Sequence, residues 1–252
     1  MITESGISRY CPMFGANPPR PRTQEPRDSL LLQGAPFDTI QGEGPLAGMP
    51  ATFIRLWGCH LQCWFCDTDF ESAQLDTTIE ALVTRCMAST AAPLVVLTGG
   101  EPMRQYIPVL CALLLARGKL VQIETAGSFW FEESPLWLDV IGHPAFTLVV
   151  SPKTPAVNPT LAYRAHAWKY IISADYVLGE DGLPIGNTQQ KDGKLRKLAR
   201  PPLGTDHARV FLQPMDQYSK DKNAANTALC VELAQRHGYR ISMQLHKQWG
   251  LP

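Results

Sequence analysis

Residues 51–70, ATFIRLWGCHLQCWFCDTDF, decide the fold. The stretch opens with an apolar and β-branched run, 51–56, which predicts a buried strand. Three cysteines then follow within eight positions, Cys59, Cys63 and Cys66, in the spacing C-x3-C-x2-C. Because one tight loop carries all three thiols, they can converge on a single metal group at the end of that strand.

The cysteine spacing favours an iron–sulfur cluster. Three thiolates can bind three irons of a [4Fe–4S] cluster and leave the fourth iron open to a substrate or cofactor. A structural zinc site usually has four ligands in two separated pairs. A zinc-bound module without enzymatic activity remains an alternative here, because His60 or Asp67 can offer a fourth ligand.

The rest of the chain alternates between short β-branched runs and longer amphipathic ones, which is typical of an α/β protein with one mainly parallel sheet. Near-continuous apolar runs such as LVVL suit a sheet covered on both faces, and ligands of such folds gather at the carboxyl ends of the strands. Further strands are predicted at 94–97, 120–124, 146–150, 168–172, 208–213 and 240–245. Helices are predicted at 77–90, after Asp76 and Thr77 as the N-cap, at 103–117 and at 221–237.

The domain organisation follows from composition. Residues 1–28 are rich in Pro and Arg without a sustained hydrophobic period, which predicts a flexible N-terminal extension. Residues 29–252 form the predicted single domain, since 252 residues with 45% apolar content can bury one core. Residues 178–207 interrupt the alternation with Gly, Pro and charge, which predicts a surface insertion.

Charge and cysteine content narrow the functional classes. Lys plus Arg and Asp plus Glu number 23 each, so we expect no nucleic-acid or membrane partner but a small-molecule substrate. No apolar run reaches the roughly 20 residues that cross a bilayer, and the N-terminus does not have the pattern of a signal peptide, so a cytoplasmic location is expected. Three of the remaining cysteines, Cys86, Cys111 and Cys230, are predicted to pack as small apolar side chains. The fourth, Cys11, lies in the predicted N-terminal extension.

A second motif, TGGEP, directly follows the apolar run 94–97. Its two glycines let the backbone approach a ligand closely. With the cysteine motif upstream, the chain resembles radical S-adenosylmethionine (SAM) enzymes, in which SAM binds the open iron and yields a 5′-deoxyadenosyl radical. The resemblance implies a shortened (β/α) partial barrel with one curved sheet, and SAM contacts from polar or glycine positions at strand ends, namely Gly99, Gly100, Glu101, Glu124, Ser151, Lys153 and Gln213.

Residues 39–70 carry a sharper resemblance, to the 7-carboxy-7-deazaguanine synthase family. The motifs are Q-G-E-G, an Arg on the strand before the cysteines, C-D-T after the last cysteine, and a C-terminal L-H-K…P. The implied substrate is 6-carboxy-5,6,7,8-tetrahydropterin, whose guanidine-like edge suits Gln41 and Glu43 and whose carboxylate suits the fork of Arg55. The implied substrate neighbours are Gln41, Glu43, Arg55, Asp67, Thr98, His246 and Pro252. Q-G-E-G does not fit a dinucleotide phosphate loop, because its glycines miss the required spacing by one residue and Pro45 intrudes. A plain glycine turn between two strands is the alternative interpretation.

The resemblance also implies the chemistry. The radical would abstract hydrogen from substrate C6, the ring would contract and ammonia would leave, so no side chain is expected to act as acid or base. Implied cofactors are the [4Fe–4S] cluster, SAM and Mg²⁺, the last on the Thr68 hydroxyl. Implied partners are an electron donor such as flavodoxin and a second copy in a homodimer. The alternative function is a radical SAM activase that forms a glycyl radical on a partner protein.

Overall fold

The computed structural model describes residues 17–23, 25–66, 68–69, 73–132, 134–186 and 197–251. The strands are β1 (Ser29–Gln33), β2 (Phe37–Ile40), β3 (Pro50–Leu56), β4 (Gln74–Thr78), β5 (Leu94–Gly99), β6 (Leu120–Thr125), β7 (Phe146–Val150), β8 (Ala167–Ile172), β9 (Val210–Pro214) and β10 (Arg240–Ile241). The helices are α1 (Ile79–Ala88), α2 (Pro108–Ala116), α3 (Pro135–Gly142), α4 (Pro159–Arg164), α5 (Lys220–His237) and α6 (Leu245–Trp249).

All ten strands belong to one sheet, in the order β10-β9-β8-β7-β6-β5-β3-β1-β4, with β2 paired to β3. The seven strands from β10 to β3 in this order run parallel. The predicted α/β class and single, mainly parallel sheet are therefore confirmed. Because neighbouring parallel strands end at the same edge, this edge collects the residues that follow each strand.

The antiparallel edge was not predicted. β1 and β2 pair antiparallel to β3, and β4 pairs antiparallel to β1. β4 is largely exposed, so it has no apolar run that predicts a strand. The predicted helix start at Asp76 and Thr77 is wrong, because both residues lie in β4; the N-cap is Thr78, whose hydroxyl accepts a hydrogen bond from the Ala81 N–H at 3.2 Å.

The C-terminal strand is shorter than predicted. The expectation was 240–245, but β10 contains only Arg240 and Ile241, and Leu245 already begins α6. The helix predicted at 103–117 begins later, at Pro108, after a short 3₁₀ turn at Pro102–Arg104. Residues 242–244 and the 3₁₀ turn therefore follow strand ends, at the carboxyl edge of the sheet.

The two faces of the sheet differ in character. Ile54, Val95 and Leu97 face the helices and belong to the main hydrophobic core. Because side chains alternate along a strand, their neighbours point to the other face. There Ala51, Leu94 and Val96 form a small apolar cluster. Nearer the carboxyl ends the same face becomes polar, with Arg55, Thr98, Glu124, Lys169 and Gln213.

Two segments differ from their predicted character. In the segment 178–207, Leu183 and Leu198 are buried in the main core and the Ala199 carbonyl accepts a 2.8 Å hydrogen bond from the Tyr170 hydroxyl, so this segment is not wholly a surface insertion. Its residues 187–196 lie outside the described part of the chain. Residues 17–23 contact the cysteine loop, although composition had predicted a flexible extension for residues 1–28. Within the described residues, no helix is long and apolar enough to span a bilayer.

Candidate active site

One cavity of about 610 Å³ opens at the carboxyl edge of the sheet. Its volume lies in the usual range for small-molecule sites. Every predicted site residue that the structure describes lines it: Gln41, Glu43, Arg55, Cys59, Cys63, Cys66, Thr68, Thr98, Gly99, Gly100, Glu101, Glu124, Ser151, Lys153, Gln213 and His246. Asp67 and Pro252 lie outside the described residues.

The cysteine loop presents its three thiols to this cavity. Cys59 is buried, Cys63 and Cys66 are partly buried, and the Cys66 N–H donates to the Cys63 carbonyl at 3.1 Å, which turns the chain back on itself. Burial, and then the Glu101 carboxylate, raise the pKa of the Cys59 thiol. A bound metal reverses this preference, because a coordinating thiol is deprotonated. Three soft ligands on one wall fit an iron–sulfur cluster.

The glycines of TGGEP are required by the protein itself. Gly99 has φ +110°, and a Cβ there would lie 2.5 Å from the backbone of Leu56. A Cβ on Gly100 would lie 2.0 Å from the Gly58 carbonyl oxygen. The Glu101 N–H donates to that same carbonyl at 3.0 Å. The two glycines therefore let the TGGEP turn pack directly on β3 and the cysteine loop, which is a different reason from the ligand approach that the sequence suggested.

Glu101 ties the TGGEP turn to the end of β6. Its side chain is buried, and it accepts hydrogen bonds from the Thr125 hydroxyl at 2.6 Å, the Ala126 N–H at 2.8 Å and the Met103 N–H at 3.0 Å. Burial raises the pKa of Glu101 in spite of these bonds. The carboxylate is thus fully engaged with the protein, and its contribution to a ligand site is to position the turn.

A buried ion network also lines the cavity. The Lys169 ammonium lies 2.5 Å from a carboxylate oxygen of Glu43 and 2.8 Å from one of Glu124. Burial alone would lower the pKa of Lys169, but the two carboxylates raise it. Burial would also raise the pKa of Glu43, whereas Lys169 and hydrogen bonding lower it. With both carboxylates and the ammonium ionised, the network carries one net negative charge.

Sequence reasoning missed Lys169. The residue lies within the apolar strand β8, and only 5% of it is exposed. A single lysine in an otherwise apolar strand needs an acidic partner, because an unpaired buried charge is very costly. That signal was present in the run AWKYII, but the partners stand far away along the chain, so the sequence alone does not identify them.

Amide side chains complete the network. Gln41 donates to Glu124 at 2.9 Å, while Gln213 and Gln244 donate to Glu43 at 3.1 and 3.0 Å. Gln244 was not predicted, because it lay within the expected C-terminal strand. Glu124 was predicted to contact SAM, yet its carboxylate lies in this network with the predicted substrate neighbours.

Arg55 and Thr98 lie side by side in the pairing of β3 with β5. The Arg55 guanidinium lies 4.7 Å from the ring centroid of Phe37 on β2, which supports the fork from one side. On the other wall, Lys153 donates to the Ser151 carbonyl at 2.9 Å, and burial lowers the pKa of Lys153. Two basic side chains, Arg55 and Lys153, thus line the cavity.

The C-terminal segment closes one side of the Q-G-E-G loop. The Leu245 N–H donates to the Gly42 carbonyl at 3.2 Å. A Cβ on Gly42 would lie 2.2 Å from His246 Nδ1, so the absence of a side chain at position 42 leaves room for the histidine ring. The Lys247 ammonium reaches Asp216 on the loop after β9 at 3.0 Å. Together these contacts place His246 at the cavity wall.

A cysteine loop in the C-x3-C-x2-C spacing, packed on a Gly-Gly turn at the carboxyl edge of a mainly parallel sheet, defines this protein as a radical SAM enzyme. The chain is 41% identical over 245 residues to 7-carboxy-7-deazaguanine synthase of Rhodospirillum rubrum, an alignment that covers 93% of this chain and 98% of the relative. The chain belongs to the 7-carboxy-7-deazaguanine synthase family.

Two further comparisons agree. The chain is 36% identical to 7-carboxy-7-deazaguanine synthase of Rickettsia prowazekii, with 95% of this chain and 96% of the relative covered. A crystal structure of QueE from Escherichia coli matches with a TM-score of 0.60 and 25% identity, over 86% of this chain and 94% of that chain. No family model matches the chain.

Proposed function

We propose that this chain converts 6-carboxy-5,6,7,8-tetrahydropterin to 7-carboxy-7-deazaguanine with loss of ammonia, as a carbon–nitrogen lyase of queuosine or other deazapurine biosynthesis. Its cofactors are a [4Fe–4S] cluster and SAM. The observation that carries the proposal is that the three-cysteine loop and the buried Glu43–Lys169–Glu124 network line the same cavity. A radical source and a polar recognition surface for a small heterocycle are thereby brought together.

The cluster end of the cavity is assigned to SAM. Cys59, Cys63 and Cys66 would hold the cluster, which with SAM supplies the 5′-deoxyadenosyl radical. The residues proposed to contact SAM at this end are Gly99, Gly100, the Glu101 backbone, Ser151 and Lys153. Glu124 and Gln213, which the resemblance also implied for SAM, lie in the ion network instead. The Glu101 side chain holds the TGGEP turn against the end of β6, so its two glycines would orient the bound molecule without a further ordering cost.

The network end is assigned to the pterin. Carboxylate oxygens of Glu43 and Glu124 are acceptors for N–H groups of a guanidine-like edge, and the Gln41 amide offers both a donor and an acceptor. The net negative charge of the network suits the N–H-rich edge of this heterocycle. Arg55, beside Thr98, would bind the substrate carboxylate as a fork. His246 lines the same cavity, and Asp67 and Pro252 stay predicted substrate neighbours.

Mg²⁺ is proposed at Thr68. The threonine follows the last cysteine and lines the cavity together with Asp69. Hydroxyl and carboxylate oxygens are ligands that Mg²⁺ prefers, and this ion usually takes few protein ligands. The donor set therefore fits the ion, which when bound would supply positive charge beside the substrate carboxylate.

The protein's own contribution is positioning and charge. Groups that are buried and already hydrogen bonded, such as Glu43, Lys169 and Glu124, do not reorganise during reaction, so they can stabilise charge that develops on the substrate. No side chain is assigned a proton-transfer step. The fixed network instead holds the heterocycle with its reactive carbon toward the cluster end.

The test is anaerobic turnover of the reconstituted protein with 6-carboxytetrahydropterin, SAM and a chemical reductant. We expect formation of 7-carboxy-7-deazaguanine, detected by mass, and dependence on Mg²⁺. If SAM is cleaved but no deazapurine forms, the assignment fails; a glycyl-radical signal on an added protein would then favour the activase alternative. A colourless protein after reconstitution would favour the zinc-bound module.

The partners and the cellular location of the protein are also proposed. We expect a low-potential donor such as flavodoxin, since the cluster needs one electron for SAM cleavage, and a homodimer as the resemblance implies. The described cysteines are free thiols, which supports a reducing compartment such as the cytoplasm. Reduction of the cluster by flavodoxin and light scattering of the purified protein test the first two.

A further inference from the structure

The segment before β1 contacts both ends of the cysteine loop. The Arg20 N–H donates to the Cys59 carbonyl at 2.6 Å, where the loop begins. The Asn17 side-chain amide donates from Nδ2 to the Thr68 carbonyl at 2.9 Å, where the loop ends. Asn17 and Arg20 stand three positions apart, so a very short piece of chain spans the whole loop that carries the three thiols.

A buried arginine fixes this segment to the site. Arg104 follows the TGGEP turn and is only 2% exposed. Its guanidinium donates to the Pro21 carbonyl at 2.6 Å and to the Trp57 carbonyl at 2.9 Å. The Thr23 N–H donates back to the Arg104 carbonyl at 2.8 Å. The segment is therefore held by the same turn that packs on the cysteine loop.

Asn17 is the most buried residue at this contact. It is 2% exposed and lines the cavity. Because the Thr68 carbonyl is an acceptor, the amide nitrogen must face it, and Oδ1 then has no hydrogen-bond partner among the described residues. A fully buried amide kept in this orientation indicates that the donation to Thr68 has a structural purpose.

We propose that residues 17–23 form a brace that fixes both ends of the cysteine loop around the iron–sulfur cluster, with Asn17 as a positioning residue for the segment that ends at Thr68. The loop is irregular, and holding both of its ends reduces the conformations open to the three thiols. The brace thus keeps the ligands gathered and slows loss of iron. This inference requires the cluster but not the identity of the substrate.

The test compares full-length variants after anaerobic reconstitution, by the rate of iron transfer to a chelator. Asn17→Ala and the similarly sized Asn17→Leu both remove the donor to Thr68, and we expect iron release to be about 2- to 13-fold faster, the factor for losing one such hydrogen bond. Gln235→Ala, an exposed amide on α5 outside the brace and the cavity, is the control and should match the wild type. Cys230→Ala, a buried substitution on α5 outside the cavity, measures the effect of a general loss of stability and should release iron at the wild-type rate.

A second pair tests the other end of the loop. Arg20→Pro removes the backbone N–H that donates to Cys59, whereas Arg20→Ala keeps it. We expect a larger acceleration of iron release from the proline variant than from the alanine variant, which loses only the side chain that stacks on Trp57. Wild-type rates in Asn17→Ala, Asn17→Leu and Arg20→Pro would overturn the proposal, as would equal acceleration in both Arg20 variants. If the reconstituted wild type retains iron normally but forms no deazapurine, the proposed function is wrong. The proposal of the brace is not affected by that outcome.

Discussion

The ammonium of Lys169 lies 2.5 Å from the carboxylate of Glu43, although the two residues are separated by 126 positions in the chain. The contact joins β8 to the loop between β2 and β3, and it brings the Q-G-E-G motif to the polar end of the sheet. Both side chains are largely buried, at 6% and 14% exposure. An ion pair in such surroundings depends on each partner being present.

Replacement of Lys169 by Met should therefore be strongly destabilising. It leaves Glu43 and Glu124 buried without their counter-ion, and breaking a buried pair in this way costs about 3–5 kcal/mol. Urea unfolding of the cluster-free protein measures the loss. Lys222→Met is the control, because Lys222 pairs with Asp175 at 3.4 Å in an exposed position, where a loss of about 1 kcal/mol or less is expected. Equal effects of the two substitutions would contradict the role given to Lys169.

The pH dependence of stability should reveal Glu43. Its pKa in the folded protein is lowered from an ordinary value of 4.5. The stability contributed by the ionised side chain is therefore complete above about pH 4.5 and is lost as the pH falls toward the lowered pKa. We expect the difference in free energy of unfolding between wild type and Glu43→Gln to shrink in that window. Glu232→Gln, in an exposed pair with Arg236, should show almost no difference at any of these pH values; a Glu43 difference that grows on acidification would refute the assignment.

Sequence patterns predicted the parts of the fold that are apolar and repetitive. The buried parallel strands have near-continuous apolar runs, and the strand predicted at 146–150 has the observed bounds of β7. β2 and β4 lack such a signal, because their residues are exposed or only partly buried. β1 contains three consecutive leucines at 30–32, but so short a run does not by itself predict a strand. The cysteine loop was found because its spacing is local.

The missed features of the site are all long-range. Lys169 looked like an ordinary strand residue until Glu43 and Glu124 were placed beside it. Residues 17–23 looked like a flexible tail, because Pro-rich composition is shared by disordered segments and by extended segments that lie on a surface. In both cases the interaction that positions the residues joins parts of the chain that are far apart in sequence. Composition and periodicity describe each part alone and do not detect such contacts.

Gly100→Ala should prevent assembly of the site while the rest of the chain still folds. The added Cβ would lie 2.0 Å from the Gly58 carbonyl oxygen, where neither the turn nor the cysteine loop can move independently. We expect little or no iron incorporation on reconstitution, measured by iron content and the visible spectrum. Gly142→Ala is the matched control, since a Cβ there meets nothing within 4 Å. Normal iron content in Gly100→Ala would show that the packing of the two loops is dispensable.

Cys63→Ala should abolish cluster assembly and SAM cleavage together, because two thiolates cannot hold a four-iron cluster of this type. Cys230→Ala removes a buried thiol on α5, outside the cavity, and should keep normal iron content and SAM cleavage. Iron and sulfide analysis with detection of 5′-deoxyadenosine checks both. Retention of a full cluster without Cys63 would remove it from the ligand set.

Arg55→Ala should weaken substrate binding without affecting the cluster. If the guanidinium pairs with the buried substrate carboxylate, its loss costs about 2–5 kcal/mol, which corresponds to a KM at least about 30-fold higher. Arg55→Lys keeps the charge but loses the planar fork and the stacking on Phe37, so an intermediate KM is expected. Arg236→Ala, in an exposed pair on α5, is the control and should leave KM unchanged. Because Arg55 does not belong to the cysteine loop, iron content and SAM cleavage without substrate should stay normal, and an unchanged KM in Arg55→Ala would exclude the pairing.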